Sequence, residues 1–377
     1  MNQWTKLCAS AALATLICTS HAQILIGQTA GYSGQVAAGV KETADGAMLY
    51  LDAVNAKGGV NGQKIELVSL DDKFDPKLAG ENARKLIEEQ NVLAMFLTRG
   101  TPHTEAMIPL LEKNGVALIG PSTGAMVLHQ PVRKYIFNVR ATYQREAEKA
   151  MTHLASMGMT RIAVVYSDDS FGADGIIGAQ KGLTASKLTP VVLEKFNRTK
   201  PDFAPIAVKL ASANAQAVLM VASGAAVVAS GAAVVDAGNA FRAAGSAAQI
   251  VTLSNNASTG FIKSLGANAR GMIVTQVYPN ERAMTYAMVK EALDLAKAKG
   301  LSEVSPAMLE GFAAAKVLVE GLKRAGPKPT REKVHAALES LRKFDLGGLE
   351  ISYGPDDHSG LDFADLAIIG TDGRFRR

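Results

Sequence analysis

The chain has 377 residues, 48% of them hydrophobic, with 40 Lys and Arg against 35 Asp and Glu. Domains mostly run about 100–200 residues, so this length predicts two cores rather than one. The charges are scattered and no Lys/Arg stripe with interleaved aromatics occurs, which argues against nucleic acid as a partner.

The first element reads as a targeting segment. Lys6 supplies a positive start, and Leu7 to Cys18 form an apolar stretch too short to span a bilayer. Ser20-His21-Ala22 places small residues where a signal peptidase reads them, predicting cleavage before Gln23 and a periplasmic location. A lipoprotein needs a small residue before its acceptor cysteine, but Leu7 precedes Cys8 and Ile17 precedes Cys18. Removing 22 residues from 377 leaves 355, with 39 basic against 35 acidic side chains and neither cysteine. An exported chain without disulfides must rely on large buried cores. No later apolar run approaches the roughly 20 uninterrupted residues of a membrane helix.

Beyond Gln23, short β-rich runs alternate with amphipathic helical stretches. Ile24 to Thr29 predicts a strand, and Val36 to Ala56 a helix ended by Gly58-Gly59. Lys64 to Leu70 is the next strand, closing on Asp71-Asp72. Pro76 to Glu89 is helical, Val92 to Leu97 a strand, Pro102 to Lys113 a helix and Val116 to Ile119 a strand. Both prolines stand at helix starts, where a missing N–H costs nothing. A second series comes next, with helices at Glu146 to Met157, Ala173 to Ala185 and Phe203 to Ala211. Its strands are Arg161 to Tyr166, Pro190 to Phe196, Ala217 to Ala222 and Ile250 to Leu253. Such alternation makes an α/β protein with parallel sheets, helices on both faces, and ligand sites beyond the carboxyl ends of the strands.

The last third breaks the rhythm. Glu281 to Lys299, Pro306 to Arg324 and Arg331 to Leu341 read as three successive helices, before β segments at Leu349 to Tyr353 and Ala364 to Ile369. Ala222 to Val228 is repeated residue for residue by Ala229 to Val235. Seven residues are nearly two helical turns, so this local duplication rotates the downstream helix by only about 20°.

Enzyme chemistry finds little support. The glycines of Gly27 to Gly34 lack dinucleotide-fingerprint spacing and read as loop residues. Asp71-Asp72 and Asp168-Asp169 stand at strand ends, where helix N-caps and solvated carboxylates are commoner than acid/base pairs. His103, His129, His153, His335 and His358 are dispersed, so neither a metal nor another cofactor is expected. No Gly-x-Ser-x-Gly elbow occurs. Two segments suit binding instead: Thr98-Arg99-Gly100-Thr101-Pro102, and Gly120-Pro121-Ser122-Thr123-Gly124-Ala125. The first runs into a helix N-terminus, whose free N–H groups and dipole favour an anionic group. Both can also be read as ordinary capped turns.

Several segments together resemble the leucine/isoleucine/valine-binding protein family, periplasmic solute-binding proteins of ABC transporters. They are Asn55-Ala56-Lys57-Gly58-Gly59-Val60-Asn61-Gly62, Leu70-Asp71-Asp72, Gly115 to Gly124, Asp168-Asp169-Ser170-Phe171-Gly172, Gly271 to Val277, and Gly347-Gly348-Leu349 to Gly373. The likeness covers essentially all of the chain after Gln23. It implies two Rossmann-like lobes joined by a three-segment hinge: residues 23–140 with 275–350, and 141–274 with 351–377. It further implies a monomer that closes on a small molecule and hands it to permease and ATPase subunits. A ligand-sensing regulator or receptor ectodomain of the same fold is the alternative.

Position by position, the resemblance assigns Arg99, Gly100, Ser122, Thr123 and Gly124 to the ligand from the first lobe. Phe171 as an apolar wall, Ser223 (or Ser230, given the duplication) and Ser254 would come from the second. The chain departs from the family in two places. Amino-acid binders of the family place an acid near Ser254, where this chain has Leu253-Ser254-Asn255-Asn256; and Arg99 stands where a small hydroxyl residue is usual. A cation with no opposing acid favours an organic carboxylate, aromatic or branched, over an amino acid.

Overall fold

The computed structural model describes residues 23–223 and 233–377. The expected signal segment and Ser230 lie outside the described residues. The first sheet is built from β1 (Ile24–Ala30), β2 (Ile65–Asp71), β3 (Ala94–Phe96), β4 (Leu118–Ile119) and β5 (Ile136–Phe137), all parallel, in the order β2-β1-β3-β4-β5. Helices α1 (Ala37–Ala56), α2 (Pro76–Arg84) and α3 (Thr101–Asn114) connect them. The second sheet has parallel strands β6 (Ile162–Ser167), β7 (Leu193–Phe196), β8 (Ala217–Val221), β9 (Gln249–Thr252) and β10 (Ile273–Gln276). Around it lie α4 (Tyr143–Ser156), α5 (Ser170–Ala185), α6 (Ala204–Ser212), α7 (Ala233–Ala243) and α8 (Thr259–Leu265). Its parallel part is wound like the first sheet, the second strand of each lying outside the first.

The chain then returns with α9 (Ala287–Ala298), α10 (Pro306–Ala325), α11 (Arg331–Glu339) and a small hairpin of β11 (Phe344–Asp345) and β12 (Glu350–Ile351). It ends by adding β13 (Asp365–Ile369) and β14 (Phe375–Arg376) antiparallel to the edge of the second sheet beside β10. The α/β architecture with parallel sheets in two lobes is the one expected. The helix expected from Glu281 starts only at Ala287, because residues 280–286 form turns in which Asn280 accepts from the backbone of Arg282 and Ala283. Strands β5, β10, β11 and β14 were not anticipated; three of them are two-residue pairings too short to leave a periodic signature.

Each sheet is covered on both faces by apolar clusters. One face of the first sheet packs Ile26, Phe96 and Ile119 against Leu309, Phe312 and Leu318 of α10; the other packs Met95 and Leu118 against Leu86 and Met107. Helices α1 and α10 touch backbone to backbone. A Cβ at Gly46 would lie 2.0 Å from the Met308 carbonyl oxygen, and one at Gly311 would lie 1.8 Å from that of Thr43. The Asn55 turn has a mechanical reason. The Asn55 side chain donates to the Ile65 carbonyl at 2.8 Å and accepts from the Ile65 N–H at 2.9 Å, tying the end of α1 to the start of β2.

Candidate ligand-binding cleft

In a sheet wound in this order, the crevice opens where neighbouring connections leave in opposite directions, beyond the ends of β1 and β3. Arg99 sits there. The chain leaves β3 through Leu97 at φ 53° and Gly100 at φ 95°, then enters α3. Gly100 is required at this bend, since a Cβ would come within 2.6 Å of His103 Nδ1. Between these two residues Arg99 bridges to Ser122 in parallel register, extending the β3–β4 pairing by one link. Two predicted turns are therefore adjacent: Ser122 N–H donates to the Thr98 carbonyl at 2.7 Å, and the Thr101 and Thr123 hydroxyls share a bond of 2.8 Å.

The Arg99 side chain is only 6% exposed. Nη1 donates to Ser122 Oγ at 3.2 Å, and Nη2 crosses to the second lobe, donating to the Asn255 carbonyl at 2.6 Å. Among the described residues it has no ion-pair partner. Beside it lies a cavity of about 110 Å3 between the starts of α1 and α8, lined in part by Gln35, Gly39, Asn255, Ser258 and Phe261. Glu42 of α1 closes one side of the interface, accepting from the Thr259 and Gly260 N–H groups at 2.9 and 2.7 Å. On another side Arg198 pairs with Asp169 and lies over the rings of Phe74 and Phe171 at 5.5 and 5.8 Å.

The other expected ligand residues divide into two groups. Gly124 faces the first crossover between lobes, its carbonyl accepting from Tyr143 N–H at 2.7 Å. Phe171 does not line the cavity beside Arg99: it is 2% exposed, edge-on to Tyr143 at 4.7 Å within the second lobe's core. Ser223 is partly exposed and is the last described residue before 224–232. Ser254 points away from Arg99. Its Oγ accepts from Arg140 at 2.7 Å and its N–H donates to Glu146 at 2.9 Å.

That contact corrects the expectation of no acid near Ser254. Glu146, from α4, is fully buried there, paired with Arg140 and accepting from Thr275. Arg140 Nη1 also lies 3.6 Å from Glu310 of α10, and its guanidinium stacks over Tyr143 at 4.6 Å. Burial alone would lower the Arg140 pKa, but the Glu146 and Glu310 carboxylates hold it above the ordinary arginine range. The acid is thus already committed to a cation of the protein. This cluster sits where the chain passes between lobes, with Arg140 on the first crossover and Thr275 near the end of β10. Residues 352–361 run alongside the first crossover, bonded as Tyr353 Oη to the Asn138 carbonyl and Leu361 N–H to the Val139 carbonyl.

The carboxylate pairs have mostly structural duties. Asp169 caps α5, accepting from Gly172 N–H at 3.0 Å. Asp72 is no N-cap: it is fully buried in the turn after β2 and accepts from Phe74 N–H, and burial pushes it up to about 6. Asp174 of α5 accepts from Met126 N–H and Gln144 at one oxygen, while its other oxygen is buried without a partner; burial pushes it up to about 6. A carboxyl raised on folding contributes stability that is complete below its ordinary pKa of about 4 and disappears as pH rises through its folded value. Asp174→Asn keeps the acceptor and removes the charge. It is expected to match the wild type at pH 4 and to be more stable at pH 7.5 by on the order of 1–2 kcal/mol. Denaturant melts at both pH values measure this; an equal difference at both would refute it.

Comparison with known proteins agrees with this geometry. The profile of the family described as Periplasmic binding protein matches residues 23–370. A Leu/Ile/Val-binding protein of Rhizobium johnstonii is 26% identical over 357 residues, spanning 92% of this chain and 91% of its own. A leucine-, isoleucine-, valine-, threonine- and alanine-binding protein of Pseudomonas aeruginosa is 24% identical over 78% of this chain and 76% of its own. The solved structure of a substrate-binding periplasmic protein from Ralstonia solanacearum superposes with a TM-score of 0.84 at 31% identity, covering 94% of this chain and 99% of its own.

Proposed function

This chain belongs to the periplasmic binding protein family, and we propose that it captures a small organic carboxylate between its lobes and delivers it to the permease and ATPase subunits of an ABC transporter. The observation that carries the reading is Arg99, a buried cation with no acid partner among the described residues, beside a cavity between the lobes. A desolvated guanidinium needs an anion, and a carboxylate matches its paired N–H geometry. The relatives are named for amino acids, chiefly branched-chain ones, whose ammonium needs a neighbouring acid. Here the acid behind Ser254 is held by Arg140, which supports a carboxylate without an ammonium. Cleavage before Gln23 and release into the periplasm belong to the same proposal.

The lobe division that goes with it is slightly shifted from the expected one. Strand β10 continues to Gln276, and Ile351, Tyr353 and Leu361 pack in the first lobe's core. We therefore divide the protein as 23–140 with 277–361, and 141–276 with 362–377. Ligand would shift the open–closed balance by its greater affinity for the closed form. Native mass spectrometry of the purified protein identifies a retained molecule, and small-angle scattering should then show a smaller radius of gyration with that molecule than without it. An unchanged radius at saturation would contradict the clamp.

A further inference from the structure

We propose that Glu42 is the latch of the clamp: it holds the two lobes together by accepting two backbone N–H groups of α8, and it raises ligand affinity without touching the ligand. This rests on the lobe closure proposed above and names the residue that biases it. Glu42 stands on α1, in the first lobe. Its Oε2 accepts from the Thr259 N–H at 2.9 Å and its Oε1 from the Gly260 N–H at 2.7 Å, so both carboxylate oxygens are engaged across the seam. These two groups open α8 and have no acceptor inside it, because the first N–H groups of a helix lie ahead of its own ladder of carbonyls. Ser258 Oγ takes only the next one, the Phe261 N–H, at 3.1 Å. When the lobes part, the Thr259 and Gly260 N–H groups exchange a carboxylate for water.

The packing around Glu42 brings the two backbones into contact. Ala38 and Glu42 are one turn apart on the same face of α1, with Gly39 beside them. A Cβ on Gly260 would come within 2.4 Å of Ala38 Cβ, and one on Gly39 would lie 3.9 Å from Ser258 Cβ. Helix α1 is itself held tightly to its own lobe, where Gly46 meets the Met308 carbonyl of α10. A hinge motion therefore breaks the Glu42 bonds instead of dragging α1 along with α8. The same seam walls the cavity beside Arg99, which Gly39, Ser258 and Gly260 help to line.

The consequence is a general gain in affinity. Hydrogen bonds to a carboxylate are among the stronger ones, and these two belong to the closed arrangement alone. The apparent affinity of a ligand scales with the population of the competent state, so a latch multiplies it by the same factor for every ligand the cleft accepts. Arg99 differs, because it discriminates between ligands by their charge. Glu42 is thus a positioning residue, and release of the ligand has to break two bonds that the ligand does not make.

The test needs no ligand. Cys8 and Cys18 both precede Gln23, so in the mature protein Gly39→Cys with Ser258→Cys supplies the only two thiols, one on each side of the seam. Their Cβ separation of 3.9 Å suits a disulfide, which spans roughly 3.5–4.5 Å. Oxidation in a glutathione buffer reads the effective concentration of one thiol at the other, and hence how much of the protein is closed. Glu42→Gln, which keeps one acceptor and removes the charge, should lower that effective concentration about tenfold. Glu42→Asp, with the charge kept and the reach shortened, should fall between. All three proteins carry the same cysteine pair, so the cost of that pair cancels, and melting of the reduced forms checks that each is folded. Equal effective concentrations in the three, with a smaller radius of gyration after oxidation, overturn the latch and leave the clamp standing. Equal radii in the oxidised and reduced forms overturn both, since lobes that never part need no latch. A pair that never oxidises also overturns both, because the lobes then do not meet at this seam.

Discussion

Arg99→Ala is expected to weaken binding of the organic carboxylate by about 30- to several-thousand-fold, a loss of roughly 2–5 kcal/mol. Two of the guanidinium's five N–H donors are used, one on Ser122 and one on Asn255, which leaves donors for a ligand. Truncation would strand the ligand's carboxylate in a desolvated cleft and also remove a bond that joins the lobes. Arg99→Lys should recover only part of the affinity, because an ammonium is a point charge and cannot bond two carboxylate oxygens from a planar fork. Calorimetry with the retained ligand measures the loss, and scattering of the saturated variant shows whether closure has been lost with it. Affinity unchanged within about twofold would remove Arg99 from the site.

The second large effect is on stability. Glu146→Ala is expected to destabilise the protein by about 3–5 kcal/mol, since it leaves Arg140, only 1% exposed, without its principal counter-charge. Glu310, 3.6 Å from the other guanidinium nitrogen, offers only a partial substitute. The loss comes from burying an unpaired charge, so replacing both partners should cost less than removing one. Arg140→Met with Glu146→Leu is therefore expected to melt well above Glu146→Ala alone. Denaturant unfolding of the three proteins tests this. A loss under about 1 kcal/mol for Glu146→Ala, or additive losses in the double variant, would show that the pair is not coupled. Because the cluster joins both lobes at their crossovers, the single variant should also broaden the transition as the lobes unfold less cooperatively.

Much of the candidate site was legible from local signals. Arg99 lies at a strand-to-helix turn and Ser122 in the turn after β4, both marked by Gly and Pro, and such turns stand at the carboxyl ends of strands in any parallel sheet. Ser254 stands near the cleft at its strand end, and its hydroxyl bonds Arg140. A shift of one residue in a 3-10 turn sends the backbone of Asn255 to Arg99 and the side chain of Ser254 to Arg140. Phe171, expected as an apolar wall for the ligand, is buried edge-on against Tyr143 and lies under Arg198, away from the cavity beside Arg99. Glu42 and Glu146 gave no sign of their roles, since a carboxylate on an amphipathic helix ordinarily faces water.

What the amino-acid order determined by itself was local: strand and helix alternation, the turns that end each strand, the absence of catalytic and metal motifs, and the exceptional arginine at position 99. The alternation and the turns come from periodicity and from backbone preferences that act over a few residues; that Arg99 is exceptional comes from the family resemblance. Only the tertiary structure decided which acid stands behind Ser254 and which backbone carbonyl Arg99 reaches. Those are contacts between residues far apart in the chain, 156 positions in the case of Arg99 and Asn255. They are set by how two separately wound sheets meet, and no short-range pattern encodes that meeting.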